Sequence, residues 1–169
     1  ITGAFSFGAS AAASSVTTIS DISAGSLTNN STTGLLSIGT LSDNGGTISA
    51  AGAGGISFTT AATNGSGTIE ASGGDVTFAS LSGNSGIIRT VGAGDLVFSG
   101  AAANGGNITG AAGTGALTFG GALTQTGGTV TVGSGNASFA GLVTNDGTSS
   151  IVGGTNAIDF NGNVDNLGT

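Results

Sequence analysis

The 169-residue chain has no Cys, His, Lys, Pro, Met, Trp or Tyr, and its one basic side chain is Arg89. Each absence removes a class of function. Without Cys and His there are no zinc sites of the usual ligand types, no Cys nucleophile and no Ser-His-Asp triad. One cation against eight Asp and Glu gives a net charge of −7. Nucleic-acid binding needs Lys and Arg to neutralise phosphates, so it is excluded. Collagen needs Pro and a strict three-residue glycine period, and neither is present. No apolar run approaches eighteen residues, so no helix here is expected to span a membrane. No basic segment precedes an apolar stretch, so no signal peptide is visible in these residues. The near-absence of trypsin sites suits a surface or extracellular protein.

What remains is glycine (36 residues), with Ala, Ser, Thr, Asn and aliphatic side chains. Charged residues make up 5% of the chain and mean hydropathy is +0.38. A disordered chain combines high charge with low hydropathy, so disorder is not the expectation.

The organising feature is a repeat. Ile38, Phe58, Phe78, Phe98, Phe119, Phe139 and Phe160 recur at steps of 20 or 21 residues. Six residues after each stand Asn44, Asn64, Asn84, Asn104, Gln125, Asn145 and Asn166. A third column holds Ile48, Ile69, Ile88, Ile108, Val130 and Ile151. A fourth, two residues before the Phe column, holds Leu36, Ile56, Val76, Leu96, Leu117, Ala137 and Ile158. The apolar-x-Phe and Ile-x-Ala pieces have the period of a strand, and the Gly clusters between them are turn chemistry. Glycine at this density would penalise a helix by about 1 kcal/mol per residue.

These columns predict an all-β solenoid with coils of ~20 residues. Strands of successive coils would pair in parallel and in register at ~4.8 Å, and about seven coils would give a rod on the order of 35 Å long. The Phe column becomes an inner ladder, each ring worth roughly 1.5–3 kcal/mol of burial. The Asn column becomes an amide ladder, because a buried amide left unpaired costs about 1–3 kcal/mol. Gln125 keeps the amide on a longer arm. Residues 17–169 carry the repeats, and 1–16 are expected to form an irregular strand or cap. Thr17, Ile19, Ile22, Gly25, Leu27 and Asn29 align as an additional coil with Gly25 in the Asn column. The chain stops at NVDNLGT directly after that column, with neither end covered by a helix or charged strand. Open strand edges invite pairing, so head-to-tail self-association is expected.

The unit Asn-x-Gly-x-Ile-x-Ala-x-Gly-x-Leu-x-Phe, seen as NGSGTIEASGGDVTF (64–78), resembles the haemagglutinin-type repeat of filamentous haemagglutinins. Those are large secreted adhesins of bacterial two-partner secretion. It is also similar to the β-strand repeats of autotransporter passengers, including rickettsia-like surface antigens. The likeness covers about residues 17–169. It implies a right-handed parallel β-helix, an extracellular or cell-surface location, and a receptor or glycan as partner. The chain departs from those families in lacking Lys, and it shows no secretion domain or membrane barrel.

Three spots invite a chemical reading. Asp75 and Asp95 occupy one column a coil apart. Carboxylates about 5 Å apart are what a retaining glycosidase uses, and two of them plus carbonyls could hold calcium. The plainer reading is two turn residues, each bonding its own backbone, since the column continues as Gly55 and Asn136 and no Tyr, Trp, His or Lys is available to line a sugar groove. Glu70 and Arg89 are expected to be outward neighbours, forming an ordinary surface ion pair. Rows of outward Thr would suggest ice binding, but Ser49, Glu70, Arg89, Thr109, Thr131 and Val152 are no regular array. The expectation is a non-enzymatic extracellular structural protein without a cofactor. An adhesin segment is the second reading, and a polysaccharide-acting enzyme the third.

Overall fold

The computed structural model describes residues 1–167. Among them every regular element is a β-strand, and successive coils pair in parallel. The chain winds as a parallel β-solenoid of eight coils. One flank is an eight-strand sheet in chain order: Ala4–Phe7, Ser26–Asn29, Thr47–Ala50, Thr68–Ala71, Ile87–Thr90, Asn107–Thr109, Thr129–Thr131 and Ser150–Val152. A twelve-strand sheet forms the rest of the wall.

Pairing is in register column by column. Leu96 pairs with Leu117, and Phe98 with Phe119. Ile69 pairs with Ile88, and Glu70 with Arg89. Phe58, Phe78, Phe98, Phe119 and Phe139 are buried and stack on one another, Phe160 continuing the pile. Ring centroids lie 4.6–5.0 Å apart, with planes within 13° of parallel. The strand spacing imposes that separation, and it falls in the favourable range for offset aromatic pairs. The Leu36 and Ile48 columns fill the remaining bore, and Ala62, Ala71, Ala102 and Ala137 fit where it is narrow.

Eight coils rather than seven result because residues 4–29 add circuits of their own. Phe5 pairs with Leu27, and Val16 with Ile38. Here the expected alignment of residues 17–29 is corrected by three positions. Val16 stands in the Phe column, Ile19 in the Leu41 column, and Ile22, not Gly25, bridges Asn44. Val16, Ile19 and Ile22 are spaced by three, as the inward positions of this corner are. A slip of three therefore trades one apolar residue for another, and the pattern alone does not distinguish the two registers.

The corner after the Phe column changes along the rod. Ile56–Asn64 and Val76–Asn84 run through it as continuous nine-residue strands with shifted register. From Phe98 onward each coil splits into two three-residue strands, such as Leu96–Phe98 and Ala102–Asn104. The split coincides with a glycine stack at 100, 121 and 141. A Cβ on Gly121 would lie 2.4 Å from the Gly100 carbonyl carbon, and one on Gly141 2.5 Å from that of Gly121. Only glycine permits the coils to approach that closely at a sharp bend.

Phe98→Ala should lower stability by about 3–5 kcal/mol, because the bore cannot close over a missing rung. Ser99→Ala, on the exposed face next to it, should change it by under about 0.5 kcal/mol. Urea denaturation of both variants measures the contrast. Equal losses would place Phe98 outside the core.

Candidate functional site

The polar interior comes first, because it occupies the Asn column entirely. Asn44 Nδ2 donates to Asn64 Oδ1 at 2.8 Å, Asn64 to Asn84 at 2.7 Å, and Asn84 to Asn104 at 2.8 Å. Asn104 donates to Gln125 Oε1, and Gln125 to Asn145 Oδ1, both at 3.0 Å. Asn145 donates to Asn166 at 3.1 Å. Several carbonyls also accept from their own turn, as Asn84 Oδ1 does from the Gly86 N–H at 3.2 Å. A glycine follows each amide so that its neighbour can tuck in. A Cβ on Gly67 would sit 2.5 Å from Asn44 Nδ2. These amides are committed to one another and offer a ligand little. A buried exception elsewhere is the Thr90 hydroxyl, which has no hydrogen-bond partner; it sits beside Ala71 in the wall, and nothing in the structure explains it.

Asp75 and Asp95 do meet in one column, and one oxygen of each is engaged. Asp75 Oδ1 accepts the Asp95 backbone N–H at 2.8 Å, and Asp95 Oδ1 accepts that of Ala116 at 2.8 Å. Each carboxylate caps the turn of the following coil rather than its own. That geometry gives one oxygen of each carboxylate a structural role at the turn. The sequence signal for it is an Asp directly before the apolar-x-Phe strand in two successive coils, GDVTF and GDLVF. Its direction across coils was not legible, since a turn Asp more often bonds its own backbone. Among the described residues no cluster of three or more acidic side chains could hold a metal ion.

Arg89 and Glu70 form the expected pair, with both Nη2 and Nε at 2.5 Å from Glu70 Oε2. The Arg89 side chain is 47% exposed, so the pair is worth about 0–1 kcal/mol. It interrupts the two outward rows of the eight-strand sheet, which run Thr47, Thr68, Ile87, Asn107, Thr129 and Ser49, Glu70, Arg89, Thr109, Thr131.

Two further features were not visible in the repeat. Asn145 and Ser150 are joined by an Asp146–Ser149 turn in which Ser149 stands directly before the strand, where earlier coils have Gly86, Gly106 and Gly128. Asp146 accepts from the Ser149 hydroxyl at 2.5 Å, the Thr148 N–H at 3.0 Å and the Thr148 hydroxyl at 2.9 Å. These bonds, the Ser149 hydroxyl foremost, hold its carboxyl below the ordinary value. Beside this turn the last coil encloses a shallow hollow of about 360 Å³, lined by Ile151, Phe160, Val164 and the amides of Asn145 and Asn166. Phe160 is 44% exposed there.

Comparison of the chain with protein-family models, with curated proteins and with solved structures gave no match. The fold therefore rests on the pairing and the ladders themselves.

Two expected outcomes follow from these contacts. Asp75→Asn keeps the acceptor oxygen and should be near neutral, whereas Asp75→Ala orphans the Asp95 N–H and should cost about 1 kcal/mol; thermal unfolding of the two compares them. Asp146 has a folded value below its unfolded one, so its contribution is present above about pH 4 and is lost as pH falls through the lowered value. The protection factor of the Thr148 amide, its exchange rate relative to the free-peptide rate at the same pH, should fall in that acid window, and Asp146→Ala should remove that fall.

Proposed function

We propose that the chain is a non-enzymatic structural module, a β-solenoid building block of an extracellular bacterial filament, sheath or layer that stacks head to tail. One observation carries this reading. The inner ladders continue into the last described coil, where Phe160 is 44% exposed and the Asn166 amide accepts from Asn145. At the opposite edge Phe5 is 52% exposed and Val16 half-buried, although both stand in inward columns. A second copy would supply the missing rungs at both edges. The turn-capping role of the Asp75 and Asp95 carboxylates and the committed amides support a scaffold rather than an enzyme.

A second reading is favoured by the repeat's resemblance to filamentous haemagglutinins and autotransporter passengers. In it the chain is a stretch of an adhesin stalk that binds a cell-surface receptor or glycan, and the next coil comes from the same polypeptide. Third stands a polysaccharide-acting enzyme built on Asp75 and Asp95. Assaying Asp75→Asn with Asp95→Asn for loss of glycan cleavage addresses it.

Electron microscopy and sedimentation of the purified chain decide between polymer and isolated rod. Filaments of uniform width are the expected result. Discrete monomers at every concentration and pH would sink the stacking reading, and an intact mass of the native protein well above 15.5 kDa would favour the stalk.

A further inference from the structure

Four asparagines are followed directly by glycine: Asn44, Asn64, Asn104 and Asn161. Asparagine is chemically labile, and Asn-Gly is its most labile setting, because no side chain on the next residue hinders attack by that residue's backbone nitrogen on Cγ. The reaction needs a side-chain amide free to turn, a glycine N–H not committed elsewhere, and water. The structure withholds these from three of the four. Asn44, Asn64 and Asn104 are buried. Asn44 Nδ2 donates to Asn64, and its Oδ1 accepts the Gly46 N–H at 3.2 Å. Asn64 Nδ2 donates to Asn84 Oδ1 and to the Gly67 carbonyl at 3.1 Å. Asn104 Nδ2 donates to Gln125, while its Oδ1 accepts from Asn84 and from the Gly106 N–H at 3.3 Å. Two of the glycine nitrogens are held as well. The Gly45 N–H donates to Ile22 O and the Gly105 N–H to Asn84 O, both at 2.7 Å.

Asn161 differs on each count. It is exposed, and its Nδ2 lies 3.5 Å from Ser138 Oγ, too long for a firm hydrogen bond. The Gly162 N–H is 3.4 Å from Phe139 O, a carbonyl already taken by the Asn161 N–H at 2.9 Å. The exposure belongs to the place and not to the coil. Ser99 and Ala140 hold the same position, directly after the Phe column, in coils with neighbours on both sides, and both are exposed. The glycine is dictated by the sharp corner, since a Cβ on Gly162 would lie 2.5 Å from the Gly141 carbonyl carbon. Asn161 is thus an outward asparagine set before a glycine the fold requires. Asn30 is exposed too, but it precedes Ser31, whose N–H donates to Asn29 Oδ1 at 3.1 Å.

We propose that Asn161 is a site of spontaneous modification, converting to aspartate and isoaspartate, and that the amide ladder keeps Asn44, Asn64 and Asn104 from the same reaction. The Gly162 nitrogen bonds to Asn161 Cγ and gives up its proton, the Cγ–Nδ2 bond breaks, and ammonia leaves. Solvent water then adds to the cyclic imide. Opening at the backbone carbonyl gives isoaspartate, and opening at Cγ gives aspartate. Either product adds a carboxylate close to Asp159. Isoaspartate also lengthens the backbone by one carbon just ahead of Asn163, whose carbonyl accepts the Val143 N–H at 2.9 Å, so neighbouring coils fall out of step there.

The test is prolonged incubation of the full chain in mildly alkaline buffer, once folded and once in urea, followed by unfolding, trypsin and mass spectrometry. Arg89 is the single tryptic site, so the chain yields 1–89, with Asn44 and Asn64, and 90–169, with Asn104 and Asn161. From the folded chain, fragment 90–169 should gain the mass of an amide turned carboxyl. Asn161→Gln should abolish that gain, because the longer side chain closes the ring far less readily. In urea both fragments should gain mass. Folding should slow the gain in 1–89 by at least about tenfold, since each rung must first open locally. Asp146-Gly147 can isomerise through the same ring, but without a change of mass, so it does not enter the reading. A gain in 90–169 of the folded chain that survives Asn161→Gln, or no gain there at all, would overturn the site. A fragment 1–89 that gains mass as fast from the folded chain as from urea would overturn the protection by the ladder.

Discussion

One constraint governs this molecule: each residue must be compatible with its own equivalent about twenty positions away. Parallel, in-register pairing at a fixed strand spacing imposes it. A phenylalanine in the bore is supported by phenylalanines above and below, at 4.6–5.0 Å. A buried amide is tolerable because its neighbours are amides too. The same constraint explains why charge is scarce. A charged column would repel itself in every coil, and no column here is charged throughout: Glu70 is paired across coils with Arg89, and Asp75 and Asp95 accept from backbone.

That constraint also decides what the sequence reveals. The Phe, Asn, Ile and Leu columns were legible because stacking repeats a residue type wherever its environment repeats. Gln125 was legible as an amide, since the chemistry recurs even where the length does not. The first circuit was misaligned because Val16, Ile19 and Ile22 match the three-residue spacing of the corner. No Asn or Phe marks the register there. The Asp75 contact was half legible: its column could be read, but which backbone N–H it would reach depends on the rise between coils. The hollow beside Phe160 was not legible at all. It lies at the last described coil, between Ile151, Phe160 and Val164, and no column of the repeat marks it.

The glycines deserve separate treatment from the usual view of them as flexible. At 121 and 141 they let neighbouring coils pack carbonyl against Cα at a corner, where any Cβ would collide. Glycine here sets how sharply the wall bends, and with it the change from nine-residue strands to pairs of three-residue strands. The cross-section of the rod is therefore written in its smallest residue, while its largest fixes the axis.

The amide ladder has a direction. From Asn44 to Asn166 every side-chain N–H listed above points toward the later coil, and every carbonyl toward the earlier one. Strand dipoles in a sheet largely cancel, but six aligned amide contacts do not. Chains of such bonds also polarise one another. The rod thus carries a net electrical polarity of the kind a helix has, with its positive end at the last coil. Three of the chain's eight acidic side chains, Asp146, Asp159 and Asp165, lie there. They are placed as acidic residues are at the N-terminus of a helix, where negative charge offsets the positive end of an aligned array.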